Sequence, residues 1–199
     1  MSIKKVVAAS ALACLSVNAL AYEAGDFILR AGVASVQPDE SSSGTKLGVK
    51  NDEELGITGV YMVTKNIGVE VLASTPFTHD VTSGGTVIGE VKHLPPTVSA
   101  QYYFDTGSAF TPYVGAGVNY FMVLESETKG SLNGKDLDVD DSVGLAFSAG
   151  VDMKLTDDLI LNAAVWNIDV DTDVDVNGSK VTDLEIDPWV YMLGVGYKF

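Results

Sequence analysis

Arg30, Glu70, Asp152 and Lys198 each interrupt a stretch that is otherwise apolar or small, as in Ile28-Leu29-Arg30-Ala31-Gly32 and Gly68-Val69-Glu70-Val71. An unpaired charge enclosed among apolar groups is very costly, so these four are expected to pair and fill an interior as a charged plug rather than conduct ions. Asp173-Val174-Asp175-Val176-Asn177-Gly178 reproduces the opening of a calcium loop, with ligand types at alternate positions and glycine at the sixth. Its twelfth position is Leu184, with Glu185 one place late, and Asn177-Gly178 reads as the turn of a β-hairpin. His79 and His93 stand near Ser74 and Ser83, yet no nucleophile motif surrounds any serine. No catalytic residue, metal ligand or cofactor is therefore assigned.

These groups need elements to position them, and the first segment is not one. Residues 1–21 combine Lys4 and Lys5, an apolar stretch from Val6 to Val17, and the small-x-small site Ala19-Leu20-Ala21. That is the pattern of a cleaved export signal, too short to span a bilayer as a helix. Cleavage after Ala21 leaves Tyr22–Phe199 as one domain. Cys14 lies within Leu12-Ala13-Cys14, a partial imitation of a lipid-attachment site, but Ala11 departs from that pattern. It is the only cysteine, so the exported domain can form no disulfide. The chain has 27 acidic against 12 basic residues, a net charge of −15, which excludes nucleic acid as a partner.

The exported segment alternates apolar and small residues with a period of two, the mark of strands. Phe27–Gln37, Glu54–Thr64, Ile67–Thr75, Pro96–Phe104, Tyr113–Leu124, Ser142–Leu155, Leu159–Val170 and Trp189–Phe199 are the predicted strands. One face of each is continuously apolar, as in Trp189, Tyr191, Leu193, Val195, Tyr197 and Phe199. The other carries glycine, serine and the isolated charges. Turns at 65–66, 105–109 and 156–158 are short, whereas the polar segments 38–53, 76–93, 125–141 and 171–184 are long. Short turns at one end and long loops at the other predict an all-β, eight-stranded antiparallel transmembrane barrel with periplasmic turns and extracellular loops. A soluble barrel of the lipocalin kind fits less well, because its apolar face would point inward and its mixed face to water.

Several ordered motifs add a specific likeness. Glu23-Ala24-Gly25-Asp26-Phe27, Asn66-Ile67-Gly68-Val69-Glu70-Val71-Leu72-Ala73-Ser74-Thr75-Pro76-Phe77, His93-Leu94-Pro95-Pro96-Thr97, Pro112-Tyr113-Val114-Gly115-Ala116-Gly117-Val118-Asn119-Tyr120 and Asp187-Pro188-Trp189-Val190 resemble the OmpW family of outer membrane proteins. The resemblance spans essentially the whole exported segment. It implies an eight-stranded outer membrane barrel with an apolar channel, associated with uptake of small hydrophobic molecules, and no enzyme. It also implies roles for Leu72 and Trp166, through Asn-Ile-Gly-Val-Glu-Val-Leu and Val-Trp-Asn-Ile-Asp.

Strand parity places Leu72, Phe121, Trp166, Val190 and Met192 on the inward face, where apolar side chains break the local rule. They are expected to line an apolar pocket facing the long loops, floored by Leu72 and Trp166; the bland reading is that they only fill a narrow barrel. Pro76, Pro95 and Pro96 lack ladder donors at the ends of adjacent strands, marking a candidate lateral exit. Expected partners are membrane lipid, lipopolysaccharide (through weak cation bridging by Asp136 to Asp141), small hydrophobic solutes, and the barrel-assembly machinery through Phe199. The alternative function is a structural or receptor barrel whose loops are bound by phage, bacteriocin or host surfaces.

Overall fold

The computed structural model describes residues 22–37, 40–42, 47–49, 52–83, 86–129 and 137–199. The export signal with Cys14, and Asp136, lie outside them. In chain order the strands are β1 (Phe27–Gln37), β2 (Glu40–Ser42), β3 (Leu47–Val49), β4 (Asp52–Met62), β5 (Ile67–Ser74), β6 (Phe77–Ser83), β7 (Thr86–Leu94), β8 (Thr97–Tyr103), β9 (Phe110–Thr128), β10 (Leu137–Val139), β11 (Ser142–Lys154), β12 (Leu159–Ile168), β13 (Val170–Val176), β14 (Ser179–Ile186) and β15 (Trp189–Lys198).

Eight of these close into an antiparallel barrel in the order β1-β4-β5-β8-β9-β11-β12-β15, with β15 returning to β1 from Ile28↔Lys198 to Gln37↔Trp189. Closure leaves no wall edge unpaired, the condition for a sheet to exist in lipid. The alternation sets the two faces. On β8, Val98, Ala100 and Tyr102 point outward while Thr97, Ser99, Gln101 and Tyr103 are buried. Arg30, Glu70 and Asp152 are 0% exposed whereas Leu193 is 70% exposed, the reverse of a soluble barrel. That inversion removes the lipocalin alternative.

The short turns are built alike. Thr64 Oγ1 accepts from the Asn66 and Ile67 amides (3.2 and 3.0 Å), and Thr156 Oγ1 accepts from those of Asp158 and Leu159 (3.4 and 3.0 Å). At the other end the structure departs from expectation. The segments read as long loops continue largely as strands. The β6–β7 hairpin pairs with the outer half of β9, whose inner half belongs to the wall with β8; β3 lies along β6. A second sheet, in the order β10-β13-β14-β2, stands beside it. The β13–β14 hairpin turns at Asn177 (φ 52°) and Gly178 (φ 72°), the left-handed pair of a two-residue type I′ turn. The calcium-like motif is therefore the tip of a hairpin, with Asp173 Oδ2 2.8 Å from Lys180 Nζ.

Candidate functional site

The lumen is layered. Near the short turns, β1, β5 and β11 deliver Arg30, Glu70 and Asp152 to one polar network. Asp152 Oδ1 accepts from Arg30 Nε (3.1 Å) and Asn162 Nδ2 (2.8 Å); Oδ2 accepts from Arg30 Nη2 (2.5 Å) and the Tyr22 hydroxyl (2.6 Å). Arg30 Nη2 also donates to the Tyr103 hydroxyl (3.1 Å), which donates to Gln101 Oε1 (2.5 Å). The guanidinium lies over the Tyr113 ring at 5.2 Å, and Asn162 Nδ2 reaches the Tyr113 hydroxyl at 3.0 Å. Arg30 Nη1 faces Glu70 Oε2 at 3.6 Å. Charge-assisted bonds of this kind offset the desolvation of the ions they join.

Three of the four predicted plug charges thus meet. The fourth, Lys198, does not join them: it is partly exposed at the rim, 3.8 Å from Asp26 Oδ2. Lys198 is the last residue of β15, paired with Ile28, two places below Arg30 on β1; its inward parity therefore leads to the mouth instead of the lumen.

Tyr22 was not singled out by sequence, since it precedes the first strand. It is 3% exposed, edge-on to Tyr103 at 5.1 Å between centroids, while the Gly25 amide donates to the Met62 carbonyl (2.8 Å). The segment from Tyr22 to Asp26 accordingly turns back at the short-turn end of the barrel and places the Tyr22 ring inside it.

Toward the outer hairpins the interior turns apolar. Leu72, Phe121, Trp166, Val190 and Met192, all inward by parity, are buried in one cluster with Ala34, Val36, Phe77, Ala146 and Ile168. Trp166 joins this cluster to the polar layer, because its indole N–H donates to Glu70 Oε1 at 3.2 Å. His93 is also buried here, its ring 4.5 Å from Phe121 and 5.9 Å from Phe77 between centroids. In the sequence it falls in the long polar segment 76–93 and so carries no strand parity; here it lies on β7, beside a bulge between Lys92 and His93.

The three prolines lie in the connections just beyond the outer ends of the adjacent wall strands β5 and β8. Pro76 joins β5 to β6, and Pro95-Pro96 join β7 to β8. The β5–β8 ladder stops at Leu72↔Thr97 and the β6–β7 ladder begins at Phe77↔His93. Among the described residues no ladder pair joins 73–76 to 94–96. The proline carbonyls turn instead to Asn119, whose Nδ2 donates to Pro95 O (3.0 Å) and Pro96 O (3.3 Å). The seam therefore runs beside Leu72, in the wall of the apolar cluster. On the outer surface, Asp138, Asp140, Asp141 and Glu125 flank an open groove. Among the described residues no group of three His, Cys, Asp or Glu side chains is arranged to hold a metal ion.

A closed antiparallel barrel that is apolar outside, with its charges buried within, and with turns at one end and extended hairpins at the other, is an outer-membrane-type β-barrel. Residues 23–199 match the OmpW family, and the chain belongs to it. Outer membrane protein W of Vibrio cholerae serotype O1 is 46% identical over 202 residues, covering 92% of this chain and 93% of that protein. The crystal structure of OprG from Pseudomonas aeruginosa superposes with a TM-score of 0.83 at 40% identity, covering 92% of this chain and 99% of that one. The solution structure of outer membrane protein W from Escherichia coli gives 0.67 at 41% identity, covering 89% and 100%. The protein is an outer membrane barrel.

Proposed function

We propose that this barrel carries small hydrophobic molecules from its outer end into the membrane, through the apolar cluster around Leu72 and Trp166. One observation carries the reading: an apolar interior lies above a charged layer and is flanked at its side by an interrupted ladder. An apolar solute seated there gains free energy from area removed from water, about 5 kcal/mol gross for roughly 200 Å². It gains nothing by descending into the Arg30–Asp152 layer, where it would separate paired ions. Straight passage to the periplasm is thus unfavourable, and sideways release between residues 73–76 and 94–96 needs no wall hydrogen bond to break. Leu72 and Trp166 floor the path, Phe121, Val190 and Met192 line it, and Pro76, Pro95 and Pro96 keep the seam free of ladder donors.

The seam can be tested with cysteine pairs spanning it, because Cys14 lies in the segment expected to be removed. Oxidative cross-linking of Thr75→Cys to Leu94→Cys is expected to slow uptake of an apolar solute, with recovery on reduction. Unchanged uptake by a demonstrably cross-linked barrel would refute sideways release. Proteoliposomes in which no apolar solute enters faster than into empty vesicles would refute transport itself and favour the structural or receptor barrel.

A further inference from the structure

With the Gln101 side chain also beside it, the Glu70 carboxylate stands between the Trp166 indole and the Arg30 guanidinium. Its Oε1 accepts from the Trp166 indole at 3.2 Å, the long end of the range for an N–H···O bond. Its Oε2 lies 3.6 Å from Arg30 Nη1, an ion-pair separation but not a hydrogen bond, and neither of those two atoms has a hydrogen-bond partner among the described residues. All three side chains are buried, so no bulk water relieves the mismatch. A buried donor facing a buried acceptor just beyond bonding distance is a strong local drive for one of them to move.

Arg30 is the fixed partner. Asp152 holds its Nε and Nη2, Tyr103 accepts from Nη2, and Tyr113 lies under its plane. Glu70 can therefore satisfy Arg30 only by turning its own carboxylate, which draws Oε1 away from the indole. Trp166 is the partner with fewer polar ties, because among the described residues its indole makes that one hydrogen bond and otherwise packs in the apolar cluster.

We propose that Glu70 is a two-position latch for Trp166. In the position seen here the carboxylate holds the indole across the lumen as a floor. In the other it closes on Arg30 Nη1, the indole N–H is released, and the ring is no longer held across the lumen beside Leu72. Glu70 is a positioning residue for Trp166 and touches no solute. The latch rests on the transport reading for its purpose but not for its existence, since the two positions are a property of the empty barrel.

The test uses the full barrel in proteoliposomes in a Trp189→Phe background, which leaves Trp166 as the only tryptophan. Glu70→Gln keeps a carbonyl oxygen for the indole but removes the charge that Arg30 attracts, so it should favour the closed position. Trp166→Phe keeps an aromatic ring but has no N–H to hold. Expected results are Trp166 fluorescence quenched about threefold to tenfold less by 1-bromooctane in Glu70→Gln than in the parent, and 1-bromooctane entry slowed by a similar factor, the scale of one exchanged hydrogen bond. Trp166→Phe should speed entry and make Glu70→Gln silent when the two are combined.

Quenching that is identical in Glu70→Gln and its parent overturns the latch, as does a Glu70→Gln effect that persists without the indole. Should Glu70→Gln fail to assemble, Glu70→Asp, whose shorter carboxylate cannot span both partners, supplies the arm. It must change Trp166 quenching at unchanged barrel content, or the latch is wrong. If quenching responds as described while no variant admits solute, the latch stands and transport falls. If solute enters all variants at one rate, transport stands and the latch falls.

Discussion

Replacing Asp152 with alanine removes the centre of the lumen network. Four hydrogen bonds end on this carboxylate, two from Arg30 and one each from Tyr22 and Asn162. The guanidinium left behind is fully buried, with the Tyr103 hydroxyl as an acceptor and Glu70 still 3.6 Å away. Breaking a buried pair from one side costs about 3–5 kcal/mol, mostly through the stranded charge. Asp152→Ala is therefore expected to lower unfolding free energy by that amount, and Asp152→Asn, which keeps an acceptor for Arg30, by less. Equilibrium urea unfolding in lipid vesicles, followed by tryptophan fluorescence, measures both. Removing all three charges as Arg30→Met, Glu70→Leu and Asp152→Leu should cost less than Asp152→Ala alone, because no ion is stranded. An Asp152→Ala barrel within about 1 kcal/mol of the parent, or a triple variant weaker than the single one, would refute the reasoning.

Gly178→Ala should loosen the β13–β14 hairpin by about 1 kcal/mol, because φ of 72° disfavours a Cβ, and faster hydrogen exchange confined to residues 170–186 would register it. Gly32→Ala should impair barrel closure, since a Cβ there collides with the Leu193 carbonyl oxygen across the β1–β15 seam; a heat-modifiable gel shift at the parent level would contradict this. Asp141, in the outer connection, is held below the usual carboxylate range first by the Val123 amide and then by the Tyr120 hydroxyl. Its contribution is fully present above the ordinary carboxylate value of about 3.9 and lost as pH falls through the lower folded one, so protection of the Val123 amide should fade only below about pH 4. Protection lost near pH 6 would point to another group. Phe199→Ala should lower the amount of assembled barrel in membranes, measured by heat-modifiable gel shift; the Phe199 amide donates to Phe27 O at 2.8 Å and its ring lies 4.8 Å from Tyr197, so it contributes to the closing seam.

The wall was legible because each wall strand has one lipid face and one lumen face, which writes a period of two into the chain. β1 and β15 begin where the alternation begins, and of the four charges singled out, Arg30, Glu70 and Asp152 meet in the lumen network while Lys198 does not. The outer strands were illegible for the same reason inverted. The β13–β14 and β6–β7 hairpins mix Asp, Glu, Thr and Ser among their apolar residues, so a short alternation such as Val170, Val174 and Val176 against Asp171, Asp173 and Asp175 did not stand out from polar loops, and only Asn177-Gly178 announced a turn. Within the site, Leu72 and Trp166 were found by parity. Gln101, Tyr103, Tyr113 and Asn162 were not, because polar side chains on a mixed face carry no mark of which neighbour they will meet across the lumen. Tyr22 was missed because a residue outside any strand has no parity to read.

The central claim is that the apolar interior around Leu72 and Trp166 passes small hydrophobic solutes. Entry of one such solute into proteoliposomes of equal barrel content, compared across the parent, Trp166→Ala, Leu72→Ala and protein-free vesicles, tests it most directly. Entry is expected to be faster with the parent than with protein-free vesicles, and faster again when the floor is truncated in either variant. Equal rates in all four would contradict the account.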